Sequence, residues 1–449
     1  MNGKMLFTDK EHDRTAKEVF PSLHVPKAAR LWIAEEAQSG CLGFGVAITP
    51  SSCYILSRME ADARRALIED VFTAKGLNLS VARLCIGSCD YSPEIYSYDD
   101  VEEDTSLAHF SVKRDEKYII PMIKEILAVR PDLYLFASPW SPPYWMKTGG
   151  SMCGGHMREK YLDCYADYII RFIESYASYG IHISAITPQN ETETHQNGSM
   201  PACLWHPETE AKFINILKTK LYNKGINVKI WMLDHSFIYA DRVLWSLKNC
   251  EGLSEAADGV AFHYYAGAIE QTRKIKKEYP SLALHFTEGG PRLTDHYDRD
   301  FCKWGLMTVK ALALGYKSFT GWNLCLDELG GPNVGPFLGI CGGLITCDSR
   351  DGALSYSGQY KAFSHIAPYI TPASRLRKIS VTESFAQDMS VYPKRNAPIE
   401  GLLIENGEER IAVLVNPNEN GLQTEIEIAG RLYYIEMHAE SIATVIFGD

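Results

Sequence analysis

Two glutamates stand at the ends of apolar, strand-like runs. Glu191 closes Ile183-Ser-Ala-Ile-Thr-Pro-Gln-Asn-Glu191, and Glu288 closes Leu282-Ala-Leu-His-Phe-Thr-Glu288 ahead of Gly289-Gly290. A carboxylate on the last residue of a parallel strand points into the mouth of a (β/α)8 barrel, the face where such barrels do their chemistry. Two of them on different strands suit the acid and the nucleophile of a retaining glycosidase, whose carboxyl groups sit about 5 Å apart. Taken singly, each glutamate could equally cap the following helix or bond a neighbouring loop. The residues around them favour the chemical reading.

A third run ends in Ser138-Pro139-Trp140-Ser141-Pro142-Pro143-Tyr144-Trp145, aromatic residues on a proline-stiffened loop. Sugar rings present apolar C–H faces that stack on such walls, while indole N–H groups reach hydroxyls. Packing in the core is the other reading of these rings, more so for Trp145 than for Trp140. Other runs end in Asp90-Tyr91, in His263-Tyr264-Tyr265 and in Trp322-Asn323, followed by Gly330-Gly331-Pro332-Asn333. His263 is also open to reading as a satisfied buried histidine. Asn190, immediately before Glu191, suits a donor to a sugar 2-hydroxyl, a bond that strengthens in the transition state. Asp90, Trp140, Asn190, His263, Tyr265, Trp322 and Asn323 are thus the substrate-binding candidates beside Glu191 and Glu288.

The elements that must position these residues are legible as an alternation. Strand-like runs cover 43–49, 79–87, 133–139, 183–191, 228–235, 259–265, 282–288 and 318–325, eight in all, separated by amphipathic stretches. In one stretch Tyr165, Tyr168, Ile169, Phe172, Ile173 and Tyr176 recur at helical spacing. Eight β/α units in one order predict an α/β fold, a closed (β/α)8 TIM barrel over 41–370. Beyond it the pattern changes to short β-branched runs, of which 375–390 is the first, separated by Asn406-Gly407, Asn416-Pro-Asn-Glu-Asn-Gly421 and Gly430. A smaller β-sandwich-like domain over 371–449 is expected, with the N-terminal segment 1–40 contributing strands to it.

The chain has 449 residues, with 46% hydrophobic and 22% charged, ordinary for a globular protein. Its net charge of −11 and lack of a long Lys/Arg run argue against nucleic acid as a partner. No apolar run approaches the ~20 residues of a membrane span, and the N-terminus lacks the apolar core of a secretory signal. The 12 cysteines form no paired framework, so reduced, mostly buried thiols and a cytoplasmic location are expected. No Cys-x2-Cys or His-Glu-x2-His spacing occurs, so no metal and no cofactor are expected. The expected partner is a β-linked glycoside or oligosaccharide, with no obligate protein partner.

Gly43-Phe-Gly45, Ser88-Cys-Asp90, Ser138-Pro-Trp-Ser-Pro-Pro143, Gln189-Asn-Glu191, Phe262-His-Tyr-Tyr265, Phe286-Thr-Glu288 and Trp322-Asn-Leu324 with Gly330-Gly-Pro-Asn333 together resemble glycoside hydrolase family 30. That family includes the lysosomal glucosylceramidases and bacterial relatives, and the resemblance runs in order along nearly the whole barrel. It implies that Glu191 is the acid/base and Glu288 the nucleophile, with Asp90, Trp140, Asn190, Tyr265 and Trp322 binding the sugar. The implied activity is that of a glucosylceramidase-like exo-β-glucosidase working by double displacement with retention. β-Xylosidase, β-fucosidase and β-1,6-glucanase activities are alternatives on the same fold, and an inactive carbohydrate-binding protein is the alternative of another class. On this mechanism Glu191 rests protonated, its pKa raised by burial and by the Glu288 charge. The sequence departs from the family pattern at Thr192 (usually proline), Val46 (usually glycine) and Gly321, where glucosylceramidases carry an aspartate. Gly321 is expected to remove a hydroxyl acceptor from the pocket. Glu193 and His195 read either as substrate contacts or as a solvated loop.

Overall fold

The computed structural model describes residues 2–23, 25, 27–381 and 397–448. Eight parallel strands close into a barrel in chain order: Gly43–Ala47, Val81–Ile86, Tyr134–Pro139, Ile183–Ile186, Lys229–Ser236, Gly259–His263, Ala283–Glu288 and Ser318–Gly321. These are barrel strands 1 to 8. Closure is made by Ser318 to Gly321 pairing with Gly43 to Val46. The expected eight-unit barrel is therefore present.

Side chains alternate along each strand, and the alternation sorts them into two cores. Ala82, Leu84 and Ile86 of strand 2 join the large outer core under the helices. Val81, Phe136, Ala185, Trp231 and Ala261 form a small separate core that plugs the lower barrel. Trp231 stacks on His285 there, ring centroids 3.6 Å apart. Helix Leu162–Ser178 buries the six residues whose spacing identified it. Val46, in place of the family glycine, is fully buried in the outer core and away from the barrel mouth.

Two strands break the alternation where it matters. The register of strand 5 slips between Leu233 and His235, with Leu233 at φ 73° and Asp234 at φ 50°. Strand 7 slips between Phe286 and Glu288. Such irregularities re-aim a side chain. Here they let consecutive residues, Thr287 and Glu288, both face the interior. Strand 8 is shorter than its run: Asn323 takes a left-handed φ of 61°, and Cys325–Leu326 pairs instead with Ile345–Cys347 in a small three-stranded sheet.

Among the described residues the remaining sheet has nine strands drawn from both chain ends. Gly3–Thr8, Thr15–Val19 and Ala29–Gln38 lie in it beside Arg375–Ser380, Glu400–Asn406, Glu409–Asn416, Leu422–Ile428, Arg431–Met437 and Ser441–Phe447. Of the expected run 375–390, residues 382–390 lie outside the described residues. Period-2 alternation again divides the faces. Ala412, Leu414, Ala443 and Val445 belong to a core within this domain, together with Tyr433 and Phe447 from opposite parts of the curled sheet. Ile411, Val413, Val415 and Ile442 belong instead to the barrel's outer core. Helix Phe301–Ala313 seats against that face at Gly305, where a Cβ would meet Ile442 Cδ1 at 2.7 Å. The second domain is thus packed against the barrel through a largely apolar interface, into which His365 also bonds Thr8 and Thr444. All twelve cysteines are free, most of them buried. Among the described residues no helix is long and apolar enough to cross a membrane.

Candidate active site

The centre of the barrel mouth is built around one buried cation. Arg83 sits mid-strand in the apolar run Val81–Ile86 and is fully buried. Its guanidinium donates to Glu288 Oε2 at 2.5 Å, to Asp234 Oδ2 at 2.7 Å and to Asn190 Oδ1 at 2.8 Å. A planar fork with several fixed donors is what such multiple bonding requires. Its face lies 4.8 Å from the Trp140 ring centroid and 5.4 Å from that of Trp322. The two indoles stack on each other at 5.1 Å, so Arg83 touches the aromatic wall as well as the Glu288 strand and the turn that carries Asn190 and Glu191.

Asp234 is the counter-charge. It accepts from Arg83, from the hydroxyls of Ser138, Thr187 and Thr287, and from His263 Nε2 at 3.0 Å. Burial works against its charge, but Arg83 and His263 hold its carboxyl well below the usual range. His263 in turn faces Glu191 Oε1 through Nδ1 at 3.3 Å and lies 3.8 Å from Glu288 Oε2. Burial disfavours its charged form, yet Glu288, Asp234 and Glu191 together raise its pKa to about 9. His263 is therefore a cation beneath the two glutamates. It is fully buried and does not line the cleft, so the expected direct contact with substrate is corrected to a role exerted through the carboxylates.

Glu288 accepts from Arg83 and, at 2.8 Å, from the Tyr265 hydroxyl. Glu191, at φ 52°, accepts from Gln196 Nε2 at 2.8 Å. Burial raises the Glu288 pKa against the pull of His263 and Arg83. At Glu191 burial also pushes upward and is the largest single influence, but the His263 hydrogen bond, the neighbouring histidines and the Gln196 bond together outweigh it and the pKa is lowered. The expected order, with Glu191 the raised group, is thus reversed in the free site, and the reason is the positive charge of His263, which the sequence reading did not assign. The pair titrates as a unit, so roles rest on position and donors.

A cleft of about 550 Å³ opens over this centre, lined by Asp90, Trp140, Asn190, Glu191, Tyr265, Glu288 and Trp322 among others. Seven of the nine candidates therefore converge on one cavity. Asp90 is buried with Oδ1 unpartnered, and burial followed by the Glu288 and Glu191 charges raises its pKa well above normal. It is placed to meet a hydroxyl.

Asn323 is the other correction. Its left-handed backbone turns it away from the cleft, and its Oδ1 accepts from Thr49 Oγ1 at 2.8 Å, tying strand 8 to the cap of helix Pro50–Arg58. Trp145 is a core residue whose indole donates to Asp99 O at 3.0 Å. Gly321 does not line the cleft, and a Cβ there would meet Gln359 Oε1 at 2.8 Å. Its lack of a carboxylate therefore takes nothing from the lining of the cleft. Thr192 stays buried, bonding Leu233 O through its hydroxyl at 3.3 Å.

Glu193 is anchored rather than solvated. It and Glu210 flank Arg242 in two close ion pairs, and Glu210 Oε1 accepts the Leu233 N–H at 2.7 Å. Arg242 thus ties the loop after Glu191 to the irregular turn that presents Asp234. His195 accepts the Asn197 N–H on the exposed loop. The described residues include two sets whose ligand atoms are close enough for a cation, Asp9-His12-His438 and Glu191-His235-His263. In the second, His263 already bonds two carboxylates, which favours its protonated form over ligation.

The residues missed from sequence are Arg83, Asp234, His235 and Gln196. A lone arginine inside an apolar strand was a usable signal, since a buried charge demands partners.

The TIM-barrel domain model of glycosyl hydrolase family 30 matches residues 41–338. A putative glucosylceramidase 3 of Caenorhabditis elegans is 32% identical over 324 residues, covering 67% of this chain and 61% of its own length. The lysosomal acid glucosylceramidase of Mus musculus is 28% identical over 314 residues, 65% of this chain and 61% of its own length. The chain thus spans about three-fifths of the length of these two relatives. A solved endo-β1,6-glucanase is 25% identical with a TM-score of 0.85, covering 100% of this chain and 99% of its own. The chain belongs to glycosyl hydrolase family 30.

Proposed function

We propose that the protein is a retaining β-glycosidase that transfers a β-linked glucosyl unit to water. The observation that carries this reading is the pair of carboxyls at one barrel mouth, Glu288 buried and Glu191 part-buried, with different hydrogen-bond partners. Glu288 takes two direct donors, Arg83 and the Tyr265 hydroxyl, which suits a group that attacks as an anion. Glu191 accepts instead from Gln196 and lies 3.8 Å from His235, which suits a group that protonates a leaving oxygen.

In the first step the Glu288 carboxylate bonds to the anomeric carbon while Glu191 gives its proton to the departing oxygen. In the second, Glu191 takes a proton from water, which displaces Glu288 and restores the original configuration. Once Glu288 is an ester, its charge no longer acts on Glu191 or on His263. Trp140 and Trp322 supply the stacking wall, Asp90 a hydroxyl partner, and Asn190 a group whose orientation Arg83 fixes.

Glucose is favoured as the sugar because both the glucosylceramidases and the β1,6-glucanase among the relatives carry it in their names. Exo-β-glucosidase action on a glucosylceramide-like substrate is one form of this activity. Cleavage of β-1,6-linked glucan is favoured by the near full-length match to the glucanase structure. Hydrolysis of aryl β-glucoside, xyloside, fucoside and galactoside, wild type beside Glu288→Gln, tests the reading. Cleavage of the glucoside by wild type alone, with β-glucose as first product by NMR, is expected. Inverted product or full activity in Glu288→Gln overturns it.

A further inference from the structure

His235 stands in the cleft with nothing to bond. It is 6% exposed, and among the described residues neither ring nitrogen has a hydrogen-bond partner. Buried polar atoms are nearly always satisfied, so two orphaned nitrogens on a ring that lines a cavity call for a partner that arrives. The Tyr239 ring lies against it at 4.4 Å, and His263 meets it nearly edge-on at 6.2 Å, so its orientation is fixed. Its Nδ1 is 3.8 Å from Glu191 Oε1, longer than a hydrogen bond.

Position decides what the partner is. The groups that suit the transferred sugar, Asp90, Trp140, Asn190 and Trp322, come from strands 2, 3, 4 and 8. His235 and Tyr239 come from the end of strand 5, beside the carboxyl that protonates the leaving oxygen. A group next to the proton donor and away from the stacking wall touches the leaving group. Burial, the largest influence, lowers the His235 pKa to about 4 despite the Glu191 charge, so the ring is neutral at neutral pH. A neutral imidazole offers one donor and one acceptor, the complement of a hydroxyl.

We propose that His235 forms the floor of a leaving-group subsite that takes a hydroxylated second sugar, so that the natural substrate is a β-linked gluco-oligosaccharide. This rests on the retaining-glucosidase reading above. A sugar hydroxyl satisfies one or both ring nitrogens, whereas an aromatic or hydrocarbon leaving group leaves them bare, at the discrimination that unpaired buried polar groups impose.

The test compares kcat/KM on a β-1,6-linked glucose disaccharide and on 4-nitrophenyl β-glucoside for wild type, His235→Phe and His235→Gln, with thermal melting of each. The disaccharide should lose about 10-fold or more relative to the aryl glucoside in His235→Phe. His235→Gln, which keeps a donor and an acceptor, should recover much of that loss. Equal losses on both substrates, or an undiminished disaccharide rate in His235→Phe, overturn the subsite while leaving the glucosidase reading intact. A wild type that cleaves neither of these substrates nor a longer β-1,6-glucan overturns the glucosidase reading and the subsite with it. A wild type that prefers glucosylceramide vesicles over both the disaccharide and longer β-1,6-glucans also overturns the subsite, by identifying a lipid leaving group.

Discussion

Replacing Arg83 with glutamine removes the guanidinium charge that bonds Glu288, Asp234 and Asn190 while keeping some capacity to hydrogen-bond. Arg83 donates to Glu288 at 2.5 Å. For unit charges about 4 Å apart at an effective dielectric of about 20, the attraction is about 4 kcal/mol. At 1.36 kcal/mol per pKa unit the ceiling is about 3 units, and a neighbouring guanidinium is ordinarily worth about 1–3. The cationic His263, 3.8 Å from the same oxygen, remains in the variant and supports the lower part of that range. The sign follows from the mechanism: the nucleophile must be ionised, so a higher pKa moves the acid limb of kcat/KM to higher pH. Asp234 also loses its strongest partner, and breaking a buried pair costs about 3–5 kcal/mol, so the melting temperature falls. The assay is the pH profile of kcat/KM on an aryl β-glucoside, confined to temperatures where circular dichroism shows the variant folded. An acid limb shifted upward by about 1 unit or more is expected. An unchanged limb would refute the claim that Arg83 keeps Glu288 ionised.

Two further outcomes follow from the same cluster. His263 has a folded-state pKa of about 9 against an ordinary 6.5, so its contribution to stability is complete below about pH 6.5 and lost as the pH rises through 9. Urea unfolding from pH 6 to 10 should show that decline in wild type and a shallower one in His263→Gln. Parallel curves would mean the histidine is neutral in the fold. Arg242→Met should lower kcat by about 10- to 100-fold, the scale of a small misplacement of a catalytic group, with KM little changed. A KM increase at constant kcat would instead make Arg242 a substrate-binding group.

The sequence made the barrel legible because a parallel strand buried on both faces reads as an apolar run, and eight such runs alternate with helices. Glu191, Glu288, Trp140 and Trp322 were visible because a strand end is a defined place. Asp234 was not, since its inward aim depends on a register slip at Leu233 that no residue pattern announces. Asn323 looked like a mouth residue by counting, but its left-handed backbone turns it back to Thr49. His263 was visible, but its charge was not, because that charge arises from three carboxylates contributed by strands 5 and 7 and the turn after strand 4. The N-terminal strands pair at long range, as where Thr424 meets Ala29, and local pattern gave them only as an expectation.

The measurement closest to the central claim is mass spectrometry of the protein after incubation with an activated 2-deoxy-2-fluoro-β-glucoside, which slows hydrolysis of a covalent glycosyl–enzyme. The account predicts a gain of one fluoroglucosyl unit per chain, on the peptide that carries Glu288, and no gain in Glu288→Gln. A label on Glu191 or another residue, or turnover of a natural glucoside with no label on any peptide, would contradict it.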